Sequence, residues 1–354
     1  MQLTDRNAVK VFEPKAPRIV SIAKIIGHRP SLAAALIAIL CLSATQSSLV
    51  LAEDKPKRPK IGELFFQDPG VAAPYQRALH DGLRELGYVD GKTATFVTRF
   101  ADGDAAKLSI LVADILAQKV DVMFIIPRAL VIAKQMTSST PLVTFFSDPI
   151  KEGIVTSFAR PGGNITGVSW QANESSGKRL QYMMELVPGL KRVTLLYDPD
   201  DRSTLLDVEA SREAALSVGL AVDPITFRNV AELQIGFAQI ARAKPQGMIV
   251  VHSPLTVQHR IDIVRFALHV NLPLVSQGPD WAHAGALLSY GPNIADVFKR
   301  AGTFMGKILK GAKVGEMPIE RPTLFELVVN EETAKALGIK IPESIMLRAD
   351  EVIR

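Results

Sequence analysis

The sequence predicts an α/β protein made of two bodies of similar size, each holding several parallel strands. Three observations predict it. Short apolar runs alternate with stretches of helical periodicity along most of the chain, and strict alternation implies βαβ units with right-handed crossovers. The alternation forms two series, one on each side of Asp148–Trp170 (DPIKEGIVTSFARPGGNITGVSW), a segment punctuated by Pro161, Gly162, Gly163 and Gly167. Glycines allow such a segment to cross between bodies and to flex. Finally, 354 residues are too many for one small core and suit two domains.

The first 52 residues stand apart from this pattern. They carry six basic side chains, Arg6 to Arg29, against Asp5 and Glu13, so a net charge of +5 falls to +1 for the remainder. The basic stretch is followed by an apolar run, Leu32–Leu42, and by Val50, Leu51 and Ala52 ahead of Glu53. That order matches a secretory signal peptide cleaved after Ala52 and places the mature protein in the periplasm. The basic portion is long for a signal, which leaves open a translation start downstream of Met1. An uncleaved anchor competes, because Ser31–Ala52 is uncharged and nearly spans a bilayer; the polar run Ser43–Ser48 favours cleavage. Leu40 before Cys41 is larger than lipoprotein processing usually accepts, and the absence of an Arg-Arg pair favours general secretion. The mature chain then has no cysteine, hence no disulfide and no thiol chemistry. No dense basic run follows Lys55–Lys60, which argues against a nucleic-acid partner.

Residues 53–60 read as a charged leader broken by prolines. Ile61–Phe66 suits a buried strand, and Tyr75, Ala78, Leu79, Leu83 and Leu86 then recur at helical spacing, with Gly87 at the C-cap position. Thr93–Arg99 has strand character. Leu108, Leu111, Val112, Ile115 and Leu116 form the next helical stripe. Val120–Ile126 is a strongly apolar run, Ala129–Met136 a helix, and Pro141–Phe146 a further strand. The second series starts with a helix, Gly177–Val187, ended by Pro188-Gly189. Strands follow at Arg192–Tyr197, Ala221–Phe227, Gly247–Val251 and Leu272–Ser276, separated by helices over Ser203–Val218, Val230–Ala243 and Leu255–Val270. Beyond them lie a helix, Asn293–Leu309, a strand, Thr323–Val329, and a short helix, Glu331–Leu337.

Motifs for catalysis are missing. There is no Walker phosphate loop, no G-x-G-x-x-G after a strand, no G-x-S-x-G elbow and no H-E-x-x-H. His252 and His259 are seven residues apart, but a metal site needs a third ligand with supporting partners, and the sequence offers none. We expect no metal, no cofactor and no catalytic residue.

A resemblance is carried by longer stretches: GLRELGYVDGK at 82–92, RFADGD at 99–104, LVADILAQKVDVMF at 111–124, AKQMTSSTPLVTFFSDPIKEGIVTSFARPGGNITGVS at 133–169, GKRLQYMMELVPGLKRVTLLYDP at 177–199, LSYGPN at 288–293, and the run 307–353. In order and spacing these resemble the ABC-transporter substrate-binding protein family that includes bacterial tryptophan-binding lipoproteins, over essentially all of 61–353. The resemblance implies a type I periplasmic-binding-protein fold: two doubly wound parallel-sheet lobes joined by three crossing strands. Asn164–Val168 would be the first crossing, Ser276–Gly291 would contain the second, and Arg321–Glu326 would be the third. The first lobe would comprise 61–165 plus 292–321, and the second 166–291 plus 322–354.

The ligand would then lie between the lobes, over the carboxyl ends of the strands. Strand ends nominate Phe65, Phe66, Gln67, Pro127, Arg128, Ser147 and Asp148 in the first lobe. In the second they nominate Asp198, His252, Ser253, Gln277, Trp281 and Tyr290. Each has a plainer role: the phenylalanines as core, Asp148 and Asp198 as turn or cap formers, and Trp281 as closing a lobe edge. Arg128 offers a planar fork suited to a carboxylate, or else it pairs with a protein acid such as Asp148. The chain departs from its relatives at two of these points, with Pro127-Arg128 where they commonly carry Gly-Thr and Asp198-Pro199 where many carry Asn-Pro.

The expected function is a monomeric periplasmic receptor that captures a small organic solute, an amino acid or other small carboxylate, by hinge closure. It would hand that solute to an inner-membrane ABC permease. A ligand sensor of the same fold, docking on a membrane signalling receptor, is the second reading. A repressor of similar lobe fold would need a DNA-binding headpiece, and residues 1–60 hold a secretion signal instead.

Overall fold

In the computed structural model, residues 58–170 and 172–354 are described, the side chains of residues 172–174 aside. The expected signal peptide, its cleavage point and most of the charged leader lie outside the described residues. Among the described residues no helix is long and apolar enough to cross a membrane.

Five parallel strands make the first sheet: β1 (Lys60–Phe65), β2 (Thr95–Phe100), β3 (Val122–Ile125), β4 (Leu142–Phe146) and β5 (Ile165–Ser169), in the order β2-β1-β3-β4-β5. β3, β4 and β5 are buried along their whole length, as expected for strands covered on both faces. Between β1 and β2 runs α1 (Pro69–Glu85), capped by Asp68, whose side chain accepts from the Gly70 and Val71 amides. α2 (Leu108–Ala117) and α3 (Pro127–Met136) make the next two crossovers.

The second sheet has seven strands in the order β12-β11-β10-β9-β8-β6-β7. These are β6 (Arg192–Tyr197), β7 (Ala221–Thr226), β8 (Gly247–Val250), β9 (Leu274–Ser276), β10 (Leu288–Pro292), β11 (Phe325–Asn330) and β12 (Glu351–Ile353). All neighbours are parallel except β10 and β11. Its helices are α4 (Ala172–Leu186), α5 (Arg202–Ser217), α6 (Val230–Ala243), α7 (Pro254–Gln258), α8 (Arg260–His269) and α9 (Pro279–His283). The helix expected over Leu255–Val270 is therefore two, broken at His259.

Two expected crossings fall elsewhere. Asn164–Val168, expected as the first crossing, is not a connection: Ile165–Ser169 is the edge strand β5, paired with β4 from Leu142↔Ile165 to Phe146↔Ser169. Gly167 permits that pairing, since a Cβ there would lie 1.8 Å from the Thr144 carbonyl oxygen. Ser276–Gly291 is likewise bound into the second sheet through β9, α9 and β10, so the chain leaves that sheet only after Pro292. It then enters α10 (Ile294–Leu309), which packs on α1 of the first lobe. Gly82 and Gly302 make that contact possible: a Cβ on either would sit about 2 Å from the facing helix's backbone, at Lys299 O and Leu79 O. The return passes beside β5, where Glu320 bridges to Val168, and reaches β11 next to β10. Two short helices, α11 (Glu331–Ala336) and α12 (Glu343–Met346), and the unanticipated strand β12 complete the chain.

Candidate functional site

The carboxyl ends of both sheets face one another, and the side chains just beyond them form a cavity. From the first lobe come Gln67 after β1, Ile126 and Pro127 after β3, Phe145 on β4 and Trp170 after β5, with Tyr75 of α1 and Phe298 of α10. The rings form one packed group, with centroid separations of 4.6 Å for Phe145–Trp170, 4.7 Å for Phe145–Phe298 and 5.1 Å for Tyr75–Phe298. The second lobe supplies Ser203 and Asp207 of α5, His252 and Ser253 after β8, Pro254 and Gln277. The enclosed space is about 40 Å³, against roughly 10–15 Å³ for one water, because the lobes lie against each other.

Four cross-lobe contacts hold that arrangement. Arg128 reaches Asp198, with Asp200 3.3 Å away, and its guanidinium lies 5.3 Å from the Phe66 ring centre. Burial raises the Asp198 pKa, and the facing Arg128 charge pulls it the other way. Asp68 and Gln258 bond reciprocally, the Asp68 amide donating to Oε1 at 3.0 Å and Nε2 donating to the carboxylate at 2.8 Å. The Tyr75 hydroxyl donates to Asp280 at 2.5 Å, and Arg260 donates to the same oxygen at 2.6 Å. The Trp170 and His252 rings lie 5.7 Å apart.

The polar side of the cavity is fixed by buried bonds. Arg179 is 1% exposed and donates to both oxygens of Asp207, at 2.6 and 2.7 Å. It also donates to Ser175 at 2.8 Å and to Gln277 Oε1 at 3.3 Å. Gln277 is packed so closely on β10 that a Cβ on Gly291 would come within 2.3 Å of its Cγ. His252 Nδ1 lies 3.2 Å from the Gln277 carbonyl oxygen, and burial lowers the imidazole pKa. A second cavity of about 220 Å³ shares Pro127 and Ser203 with the first and is lined also by Arg128, Glu152, Asp200 and Asp201. Burial pushes the Glu152 carboxyl up to about 7 and that of Asp201 up to about 6.

Of the side chains nominated from sequence, Gln67, Pro127, His252, Ser253 and Gln277 meet in the first cavity. Arg128 and Asp198 meet beside it; the acid partner of Arg128 is Asp198, not Asp148. Phe66 lies beneath Arg128. Phe65 is sealed in the first-lobe core, its ring 5.5–5.7 Å from those of Phe124 and Phe100. Ser147 and Asp148 shape a turn: both amides donate to Glu152, and the Asp148 carboxylate accepts from the Ile150 and Lys151 amides. Trp281 is fully buried in α9, and Tyr290 on β10 packs against Tyr182 and Phe325. Neither lines the cavity.

Sequence reasoning passed over Tyr75, Phe145, Trp170 and Phe298, and also Ile126, Pro254, Ser203 and Asp207. Tyr75 and Phe298 read as core positions on amphipathic helices, which they also are. Ser203 and Asp207 carry a usable signal, being one helical turn apart and so on one face of α5. His259, the other histidine weighed as a ligand, packs near Phe227 instead, and among the described residues no group of three His, Cys, Asp or Glu side chains is placed to hold a metal.

Comparison with known proteins gives four findings. The family model described as "ABC transporter substrate binding protein" matches residues 64–353. A protein of Clostridioides difficile (strain R20291) named "Tyrosine-binding protein" is 23% identical over 297 residues, covering 81% of this chain and 83% of its own length. Among solved structures, a Streptococcus pneumonia domain in complex with L-Trp is 24% identical and superimposes with a TM-score of 0.77 over 84% of this chain and 100% of that one. A ligand-free, open substrate-binding protein with adhesive properties from Clostridium difficile is 22% identical, with a TM-score of 0.57 over 83% and 99%.

Proposed function

This chain belongs to the ABC transporter substrate binding protein family, a family of binding proteins and not of enzymes, and from that premise we propose that it captures a small organic solute bearing a planar apolar ring. The solute sits between the lobes outside the inner membrane and is handed to an ABC permease. The observation that carries this reading is the ring-walled cavity at the facing strand ends. Tyr75, Phe145, Trp170 and Phe298 offer apolar faces on one side, and polar groups of the second lobe face them. Such a site, apolar with a few fixed polar groups, is how proteins hold small molecules. The tyrosine and L-Trp named for the two relatives carry rings of this kind.

Capture requires opening, since the space enclosed at present is small. Three crossings, at residues 169–172, 292–294 and 317–325, connect the two sheets, and rotation about so few strands is a familiar closure motion. The proposed receptor works as a monomer. The anion anchor expected of Arg128 has less support, because Asp198 and Asp200 already neutralise that guanidinium.

A thermal-shift screen over aromatic amino acids, aromatic acids and heterocyclic amides tests the reading, since binding to the native state alone raises the melting temperature. Solution scattering of the best hit should show a smaller radius of gyration. A flat screen, or a hit that leaves scattering unchanged, counts against it.

A further inference from the structure

Resting on that reading and deepening it, we propose that the cleft selects an uncharged planar ring that presents a hydrogen-bond donor to His252 Nε2 and, beside it, an acceptor to the Gln277 side-chain amide. Lactams and ring carboxamides are the class with both groups.

The assignment follows from which atoms are already committed. His252 Nδ1 faces a main-chain carbonyl oxygen at 3.2 Å. A carbonyl only accepts, so Nδ1 carries the proton. Burial disfavours a second proton on the imidazole, and Nε2 is left as a bare acceptor. Among the described residues it has no protein partner, and His252 lines the cavity. Gln277 is fixed by the same logic. Its Oε1 accepts from Arg179 Nη1, and arginine only donates, so the amide cannot be turned around. The Gln277 Nε2 group therefore has donors to offer and no protein acceptor among the described residues. The two side chains are neighbours, because the carbonyl holding His252 is that of Gln277 itself.

Charge at this edge of the cavity is spent. Arg179 is matched by Asp207, and Arg128 by Asp198. A carboxylate placed against His252 would meet a lone pair with a negative charge, whereas a lactam N–H and C=O meet an acceptor and a donor. The ring group of Trp170, Phe145 and Phe298, all lining the cavity, then packs against the ligand's ring. Sites built to bond a particular N–H or O–H reject analogues lacking it far more strongly than apolar pockets reject a missing methylene.

Calorimetric titration with 2-pyridone, uracil and nicotinamide, against benzoate, L-tyrosine and L-tryptophan, tests the proposal. The first three should bind at least about tenfold more tightly than benzoate. His252→Phe keeps a ring and removes the acceptor; Gln277→Glu keeps an acceptor for Arg179 and removes the donors. Each should weaken the lactams by about tenfold or more, the worth of one buried hydrogen bond, with folding of each variant checked by its melting curve. Nitrogen-15 spectra of the unmutated protein should show His252 protonated at Nδ1 alone at neutral pH, a readout that needs no variant. A proton on Nε2, or unchanged lactam affinity in both variants, overturns the proposal. Binding and compaction with L-tyrosine or L-tryptophan but no lactam overturns it while leaving the receptor reading intact; no binding by any compound in the wider screen overturns both.

Discussion

The Arg128 guanidinium of the first lobe sits on the Asp198 carboxylate of the second, and the two side chains are only 6% and 0% exposed. Breaking a buried pair by removing one partner costs on the order of 3–5 kcal/mol while the survivor stays buried. Here the survivor has an escape, because parting the lobes returns it to water. Arg128→Met should therefore open the protein more than unfold it. Solution scattering is expected to give a larger radius of gyration, with only a small loss in melting temperature; unchanged scattering with a large thermal loss would place the pair's role in folding instead.

Asp207 has no such escape, since Arg179 and Asp207 belong to neighbouring helices of one lobe and are 1% and 2% exposed. Asp207→Ala strands a buried guanidinium, and chemical denaturation should show a loss of about 3–5 kcal/mol. A loss below about 1 kcal/mol would mean that Ser175, Ser176 and Gln277, which also accept from Arg179, hold it without Asp207.

The two tryptophans should report different things. Trp170 lines the cavity, while Trp281 is buried in α9 away from it. Ligand-induced change in intrinsic fluorescence is expected to survive Trp281→Phe and to vanish in Trp170→Phe. The reverse result would put the ligand elsewhere.

Stability should fall as pH rises through weak acidity. The unfolded chain loses the Glu152 proton near the usual 4.5, and the folded chain near 7. Between those values the folded state holds a proton the unfolded state has released, so protection is present below 4.5 and lost towards 7. Asp201, raised to about 6, acts in the same sense. Glu152→Gln keeps an acceptor for the Ser147 and Asp148 amides and should flatten the descent of melting temperature between about pH 5 and 7.5. An equally steep descent in the variant would rule Glu152 out.

Gly302→Ala places a methyl group 2.0 Å from the Leu79 carbonyl oxygen, so α1 and α10 must separate. Overpacking of this kind costs about 1–3 kcal/mol or more, and a lower urea midpoint is the expected readout. An unchanged midpoint would show that the helix pair yields freely.

Much of the fold was legible in the sequence because buried parallel strands announce themselves as unbroken apolar runs, as Val122–Ile125 does. What was not legible was membership: Ile165–Ser169 reads the same whether it bridges lobes or edges a sheet, and only the pairing with Leu142–Phe146 decides. The site divides in the same way. His252 and Gln277 stand at strand ends, the places from which the sequence nominates a cleft, and both line the cavity. Tyr75 and Phe298 come from helices far apart in sequence, and no local pattern tells a core ring from one that is also a cavity wall. Arg128 was nominated as an anion anchor or as the partner of an acid such as Asp148; the acid it meets, Asp198, lies 70 residues away across the cleft, beyond anything spacing reveals.

The place of α10 bears on how the chain is made. Every strand of the first sheet has been synthesised by Ser169, yet the helix that packs on α1 through Gly302 starts only at Ile294. Until the chain through Leu309 is available, Phe298 and its buried neighbours are missing, and the first lobe keeps an apolar face towards solvent. Vectorial folding, one domain and then the next, is closed to this topology. An intermediate lacking that helix is expected to be the species most exposed to self-association.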